Sequence, residues 1–91
     1  MQRDVALVLA GAQSAGEVEA TLRRSAGVLL EQITVFDEYR GKPLAEGERS
    51  VAWRLVFRAA DRTLREQEVD EALSRAVRAA EERHGVRRRE A

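Results

Sequence analysis

The 91-residue sequence contains no cysteine and only one histidine, His84. Without cysteine there can be no disulfide framework, no thiolate nucleophile and no cysteine-ligated zinc or iron–sulfur site. No apolar run approaches the roughly 18 residues of a membrane-spanning helix, and the N-terminus lacks the apolar stretch and cleavage site of a signal peptide. We therefore expect a cytoplasmic protein without a transition-metal site.

Net charge is also absent, because sixteen Lys and Arg residues balance sixteen Asp and Glu residues. Overall charge therefore gives no sign of a nucleic-acid or membrane partner. The distribution is uneven, since residues 40–65 carry seven basic and three acidic side chains and residues 85–91 carry three basic and one acidic. Two such stretches would form a positive face if both lay on one sheet, although charge clusters are more often solvated surface.

The motifs of the common catalytic classes are missing as well. There is no glycine-rich phosphate loop, no GxSxG and no HExxH. His84 precedes Gly85 at the expected end of a helix, where a basic side chain suits the helix dipole. The sequence thus offers no candidate catalytic or metal-ligating residues.

A chain of this length forms one domain, which we place over residues 1–91. Runs rich in Val, Leu, Ile and aromatic residues predict strands, and two longer segments with helical apolar spacing predict helices. Ser14 with Glu17, and Thr63 with Glu66, have the spacing of a helix-capping box. The predicted elements are strands over 3–9, 29–40, 50–58 and 86–89, with helices over 14–26 and 63–83.

The order β-α-β-β-α-β predicts an α+β, ferredoxin-like fold, in which a four-stranded antiparallel sheet carries both helices on one face. Strict alternation assigns the covered face to every second residue of the first and third strands. The open face is then predicted to show small residues and arginines: Ala6, Ser50, Ala52, Arg54 and Arg88.

The second strand is irregular, because Ile33 and Val35 alternate but Phe36 breaks the pattern. Either a β-bulge or a strand that is apolar on both faces would account for this. Tyr39 is the only aromatic residue outside the predicted core, and it shares a strand face with Asp37. Together they could stack on a base and accept from a guanine edge, or they could be an edge tyrosine beside a turn-forming aspartate.

Three longer strings in the chain are specific: QRDVALVL, VFDEYRG and RSVAWRLVFRAADRTLREQEV. They closely resemble the strings RRDLALVV, LFDVYxG and KSLAYRLxFRxxDRTLTDEEV of the ferredoxin-fold anticodon-binding domain. That domain lies at the C-terminus of the bacterial phenylalanyl-tRNA synthetase beta subunit. The resemblance covers essentially the whole chain, and Trp53 stands where the family usually has tyrosine, a change that we expect the core to absorb.

The resemblance implies a non-catalytic module that recognises the anticodon stem-loop of tRNA-Phe and partners the remainder of the synthetase. Tyr39 would stack on an anticodon base, the first, while Asp37 and Ser50 would hydrogen-bond base edges. Ala6 would permit close approach, and Arg88 would contact a base or phosphate. The implied cofactors, ATP and magnesium, would belong to the parent synthetase, and this chain would bind none.

Two alternatives remain open. The open sheet face could pack on a partner protein, since the chain has no net charge and the predicted face includes Ala6 and Ala52. A small-molecule regulatory module has only the fold in its favour. The chain itself could be a domain excised from a synthetase or a free-standing relative of it.

Overall fold

The computed structural model describes residues 1–89. It contains four strands and two helices in the predicted order, and their bounds lie within about two residues of those expected for most elements. The elements are β1 (Gln2–Ala10), α1 (Ala15–Ala26), β2 (Leu30–Arg40), β3 (Glu48–Phe57), α2 (Glu66–His84) and β4 (Arg87–Arg88). Residues 90 and 91, which complete the predicted domain, lie outside the described residues.

The four strands form one antiparallel sheet in the order β2-β3-β1-β4. Both helices pack on one face of it, which confirms the ferredoxin-like α+β fold. The alternation in β1 and β3 is as predicted, because one set of side chains in each strand is buried beneath the helices. That set consists of Val5, Leu7, Leu9, Val51, Trp53, Leu55 and Phe57.

Trp53 shows how a large polar-edged ring is accommodated in this core. Its side chain is fully buried, and its indole N–H donates to Glu19 Oε1 of α1 at 3.0 Å. A buried indole N–H usually has a hydrogen-bond acceptor, because leaving it unpaired is costly. The core thus absorbs the tryptophan, as expected.

The irregularity in β2 is a β-bulge at Phe36. Val35 lies opposite Trp53 and Asp37 lies opposite Ala52, so two steps along β2 correspond to one step along β3. A bulge of this kind changes which face the following residues occupy. Asp37 therefore lies on the open face, where unbroken alternation from Val35 would have turned it toward the helices.

The predicted cap of α1 is confirmed, whereas the predicted cap of α2 is wrong. Ser14 caps α1, and its Oγ accepts from the Glu17 amide at 3.2 Å. The Thr63–Glu66 capping prediction is wrong, because α2 begins later, with Arg65 at the cap and Glu68 accepting from the Arg65 amide at 3.0 Å. Leu64 is buried directly before the cap, and this anchor to the core fixes the later start.

The short β4 pairs with β1 at the edge of the sheet. Leu7 lies opposite Arg88 and Val8 lies opposite Arg87. None of the helices within residues 1–89 is both long and apolar enough to cross a membrane.

Candidate nucleic-acid interface

The face of the sheet that the helices leave uncovered brings four of the five predicted site residues together. Residues opposite one another in antiparallel strands share a face. Asp37, Ala52 and Ala6 form one row across β2, β3 and β1, because each lies opposite the next. Tyr39 and Ser50 lie opposite each other in the neighbouring row, so Ala6, Asp37, Tyr39 and Ser50 are close neighbours on this open face.

Arg88 is not among these neighbours, and its predicted position on the open face is wrong. It lies opposite Leu7, whose side chain is buried beneath the helices, and two residues after the buried Val86. Both relations turn Arg88 toward the helix side of the sheet. The side chain is exposed there, at the outer edge of β4.

Arg89 takes the position expected of Arg88. Its amide donates to the carbonyl of Ala6 at 2.8 Å, which extends the strand pairing by one residue. Its guanidinium carbon lies 4.8 Å from the centre of the Tyr39 ring. Since β4 and β2 are the two outer strands, about 14 Å apart at the usual strand spacing, the Arg89 side chain must run across the open face.

Small side chains in the central strands make this crossing possible. Ala6 and Ala52 occupy the row that leads from Arg89 toward β2. Ser50, in the same region, is only 3% exposed even though no helix covers this face. The small side chains at the centre of the open face leave room above the sheet, and the side chains of Arg89 and Tyr39 lie over them.

Tyr39 itself is 39% exposed, and its hydroxyl donates to the carbonyl of Lys42. This hydrogen bond ties the ring to the loop after β2, which limits its rotation. Tyr39 thus presents a π-surface with the Arg89 guanidinium beside it, a geometry typical of a cation–π pair.

Asp37 and Ser50 provide the polar groups of the cluster. Asp37 Oδ1 accepts from the Glu38 amide at 2.9 Å, which sets the direction of the carboxylate. Within residues 1–89, the only hydrogen bond to this carboxylate is the one on Oδ1. The carboxylate therefore has capacity for an additional donor, such as the N–H groups of a guanine edge.

A second aromatic residue on this face was missed in the sequence. Phe36 is 47% exposed, so the expectation that Tyr39 is the only aromatic outside the core is wrong. The Arg54 guanidinium carbon lies 4.5 Å from the centre of the Phe36 ring. The predicted core included Phe36, but Val35 lies opposite Trp53 on the helix side, so the next side chain, that of Phe36, turns to the open face.

Ion pairs hold two arginines of this face, Arg54 and Arg87. Arg54 donates to both carboxylate oxygens of Asp4 at 3.0 and 3.1 Å, and this hydrogen bonding lowers the pKa of Asp4 below its ordinary 3.8. Arg87 likewise donates to both oxygens of Glu48, at 2.8 and 3.2 Å, which lowers the pKa of that carboxyl. Charge on the open face is therefore largely paired.

Nothing in the described part of the chain suggests a metal centre. No group of three or more His, Asp or Glu residues in 1–89 could hold an ion. His84 Nε2 instead lies 2.8 Å from the hydroxyl of the buried Thr21, a contact that joins the end of α2 to α1.

A four-stranded sheet with one open face bearing exposed aromatics and arginines is a surface on which RNA-recognition modules stack unpaired bases, although the fold alone hosts many functions. Comparison with known proteins is more specific. Residues 1–89 match the family described as ferredoxin-fold anticodon binding domain. The chain belongs to this family, whose name describes anticodon binding, a non-catalytic role.

Curated proteins similar to the chain include phenylalanine–tRNA ligase beta subunits from several bacteria. The subunit of Synechococcus sp. (strain JA-2-3B'a(2-13)) is 49% identical over 77 residues, which cover 85% of this chain and 9% of that protein. The subunit of Thermobifida fusca is 48% identical over 84 residues, covering 92% and 10%. The subunit of Corynebacterium jeikeium is 44% identical over 87 residues, covering 96% and 10%. The chain spans about a tenth of the length of these relatives.

Proposed function

We propose that the chain is the anticodon-binding domain of a phenylalanine–tRNA ligase beta subunit and that its open sheet face holds the anticodon loop of tRNA-Phe. Its partners are then that tRNA and the remainder of the synthetase, and its location is cytoplasmic. Aminoacylation, with its ATP and magnesium, belongs to the remainder of the synthetase. The observation that carries the proposal is the cluster of Tyr39, Asp37, Ser50 and Ala6 on the face that no helix covers.

Each member of the cluster has a role that follows from its chemistry. Tyr39 stacks on the first anticodon base, since every base has a π-face and stacking on an aromatic ring is favourable. Asp37 accepts from the Watson–Crick edge of that base. Ser50 lies one strand away and is nearly buried, so its hydroxyl reaches the base once the side chains above it move aside. Ala6 leaves room for the backbone and base to approach the sheet.

The charged contact on this face is assigned to Arg89. Its guanidinium already lies over the Tyr39 ring, so a base can stack against the free side of the ring or against the guanidinium plane. Arg88 faces the other side of β4. A contact between Arg88 and a phosphate at the sheet edge stays a prediction.

The test is the affinity of Tyr39 variants for a labelled RNA stem-loop carrying the phenylalanine anticodon, measured by fluorescence anisotropy. Tyr39→Leu should weaken binding by about 1–3 kcal/mol, because it removes the stacking surface. Tyr39→Phe should retain most of the affinity, since the ring remains and only the hydrogen bond to Lys42 is lost. Equal affinities for all three proteins would overturn the assignment.

Arg24→Ala provides the matched control, because Arg24 is exposed on α1, on the helix side of the molecule. If RNA were attracted by arginines on any surface, this change would weaken binding as much as Tyr39→Leu does. If the chain does not bind the stem-loop at all and instead associates with a protein through the same face, the alternative of a protein-interaction domain replaces the proposal.

A further inference from the structure

We propose that Phe36 and Arg54 form a second base-stacking site on the open face, which holds another unpaired base of the anticodon loop in addition to the first anticodon base on Tyr39. This inference rests on the proposed function and extends it to a residue pair outside the predicted site.

The exposure of Phe36 is the first observation. The large apolar residues on the covered face of β1 and β3 are buried, whereas Phe36 is 47% exposed. Phe36 follows Val35, which faces the helices, so strand alternation turns its ring to the open face. The guanidinium above the ring comes from Arg54, which lies between the core residues Trp53 and Leu55 and faces away from the helices. A phenylalanine presented to solvent in this way is a candidate contact surface.

The second observation is that the guanidinium is held in place. Arg54 makes two hydrogen bonds to the carboxylate of Asp4, at 3.0 and 3.1 Å. This fork fixes the plane of the guanidinium beside the ring, so little side-chain freedom is lost when a planar ligand stacks on it. Nucleic-acid-binding proteins stack unpaired bases on both aromatic rings and arginine planes.

The third observation is that Tyr39 and Arg89 repeat the arrangement on the same strand. Both rings are partly exposed, and each has a guanidinium carbon within 5 Å of its centre, at 4.5 and 4.8 Å. Tyr39 follows Phe36 by three positions, at most about 10 Å along a strand. Bases of one unstacked loop can therefore occupy both positions.

The chemistry of the pair favours a base over a protein side chain as the occupant. A dry protein interface would have to bury the ion pair between Arg54 and Asp4, at a desolvation cost that its attraction need not offset. A base stacks through its π-face while its polar edges and the adjoining phosphate stay hydrated.

The proposal is tested with the 91-residue chain and anticodon stem-loops in which each loop base in turn is replaced by 2-aminopurine, whose fluorescence changes on stacking. Phe36→Leu should abolish the stacking signal at one loop position and weaken binding at least about fivefold. Tyr39→Leu should abolish the signal at a different position. Phe36→Tyr, which keeps the ring, should behave like the unaltered chain.

Val35→Ala is the matched control. Val35 precedes Phe36, is similarly exposed at 43%, and lies opposite the core residue Trp53 on the helix side. It should leave both signals unchanged, and thermal unfolding of every variant shows whether the sheet is intact. Phe36→Met repeats the test should the leucine variant unfold early.

The outcomes separate the two claims. A chain that binds the stem-loop, needs Tyr39 and is indifferent to Phe36→Leu overturns the second site and leaves the proposed function standing. A chain that does not bind the stem-loop overturns the proposed function. Loss of one and the same signal in both leucine variants would mean a single stacking site that includes both rings, which also contradicts the inference.

Discussion

Arg49 is a charged residue buried on the helix side of the sheet, where such residues are rare. Its guanidinium donates to the carbonyls of Ala10, Gly11 and Gln13 at 3.1, 3.0 and 2.6 Å, and its Nε lies 2.9 Å from a carboxylate oxygen of Glu38. One side chain thus joins the end of β1 and the loop after it to the part of β2 that carries Tyr39.

We predict that Arg49→Ala destabilises the chain by about 2–4 kcal/mol, because three carbonyls lose a charged donor at once. The free energy of unfolding in urea measures this directly. The control is Arg58→Ala, which removes only an exposed ion pair with Glu31 and should cost less than about 1 kcal/mol. Equal losses for the two variants would show that Arg49 does not organise this end of the sheet.

At the scale of elements, β2 determines which residues reach the open face. Its bulge reverses the alternation between Val35 and Asp37, and without that reversal Asp37 and Tyr39 would point toward the helices. The sequence could indicate an irregularity at Phe36 but could not distinguish a bulge from a strand that is apolar on both faces. That choice depends on pairing with β3, which is not a local property of β2.

The start of α2 was mispredicted for a related reason. Thr63 and Glu66 have the correct spacing for a cap, but Leu64 is buried and the helix begins after it. Glu68 then accepts from the Arg65 amide and pairs with both terminal nitrogens of Arg62, at 2.7 and 2.6 Å. Local spacing allows a cap at Thr63 or at Arg65, and the burial of Leu64 favours the later one.

The contact between Glu68 and Arg62 at the start of α2 predicts that the stability of the chain depends on pH. Hydrogen bonding to Arg62 lowers the pKa of Glu68 from its ordinary 4.5 to about 2. A carboxyl whose pKa is lower in the folded chain stabilises it above the unfolded pKa and loses that contribution as the pH falls through the folded pKa. Glu68→Gln should therefore be less stable than the unaltered chain at pH 6, and the difference should shrink between pH 4.5 and 2.

Urea unfolding at several pH values checks this prediction. Arg62→Ala should reproduce the effect of Glu68→Gln, and the double variant should add little to either, because both changes remove the same interaction. A difference between Glu68→Gln and the unaltered chain that stays constant down to pH 2 would contradict the assignment of the pH dependence to Glu68.

At the scale of the whole molecule, the fold was predictable because alternation in β1 and β3 and the apolar spacing of both helices depend on local sequence. The same alternation placed Ala6 and Ser50 on the open face. Arg88 could not be placed reliably, because β4 has only two residues and a shift of one position in so short a strand exchanges its faces. The pairing of Arg54 with Phe36 joins two strands and has no signature in either.

The described arginines of the open face also show why the charge pattern of the sequence was ambiguous. Arg54 and Arg87 come from the two basic stretches, yet each is paired with a carboxylate of the same face. The face is therefore polar and aromatic rather than strongly positive. The specificity that we propose for this face therefore comes from stacking and from base edges.

The most direct test of the account is an NMR titration of the labelled chain at low salt with two stem-loops, one with the phenylalanine anticodon and one with an altered anticodon. We predict that amide shifts concentrate at Asp37, Tyr39 and Ser50 and are larger with the phenylalanine anticodon. Equal, weak shifts spread over arginines on both sides of the molecule, or no shifts at all, would contradict anticodon recognition by the open face.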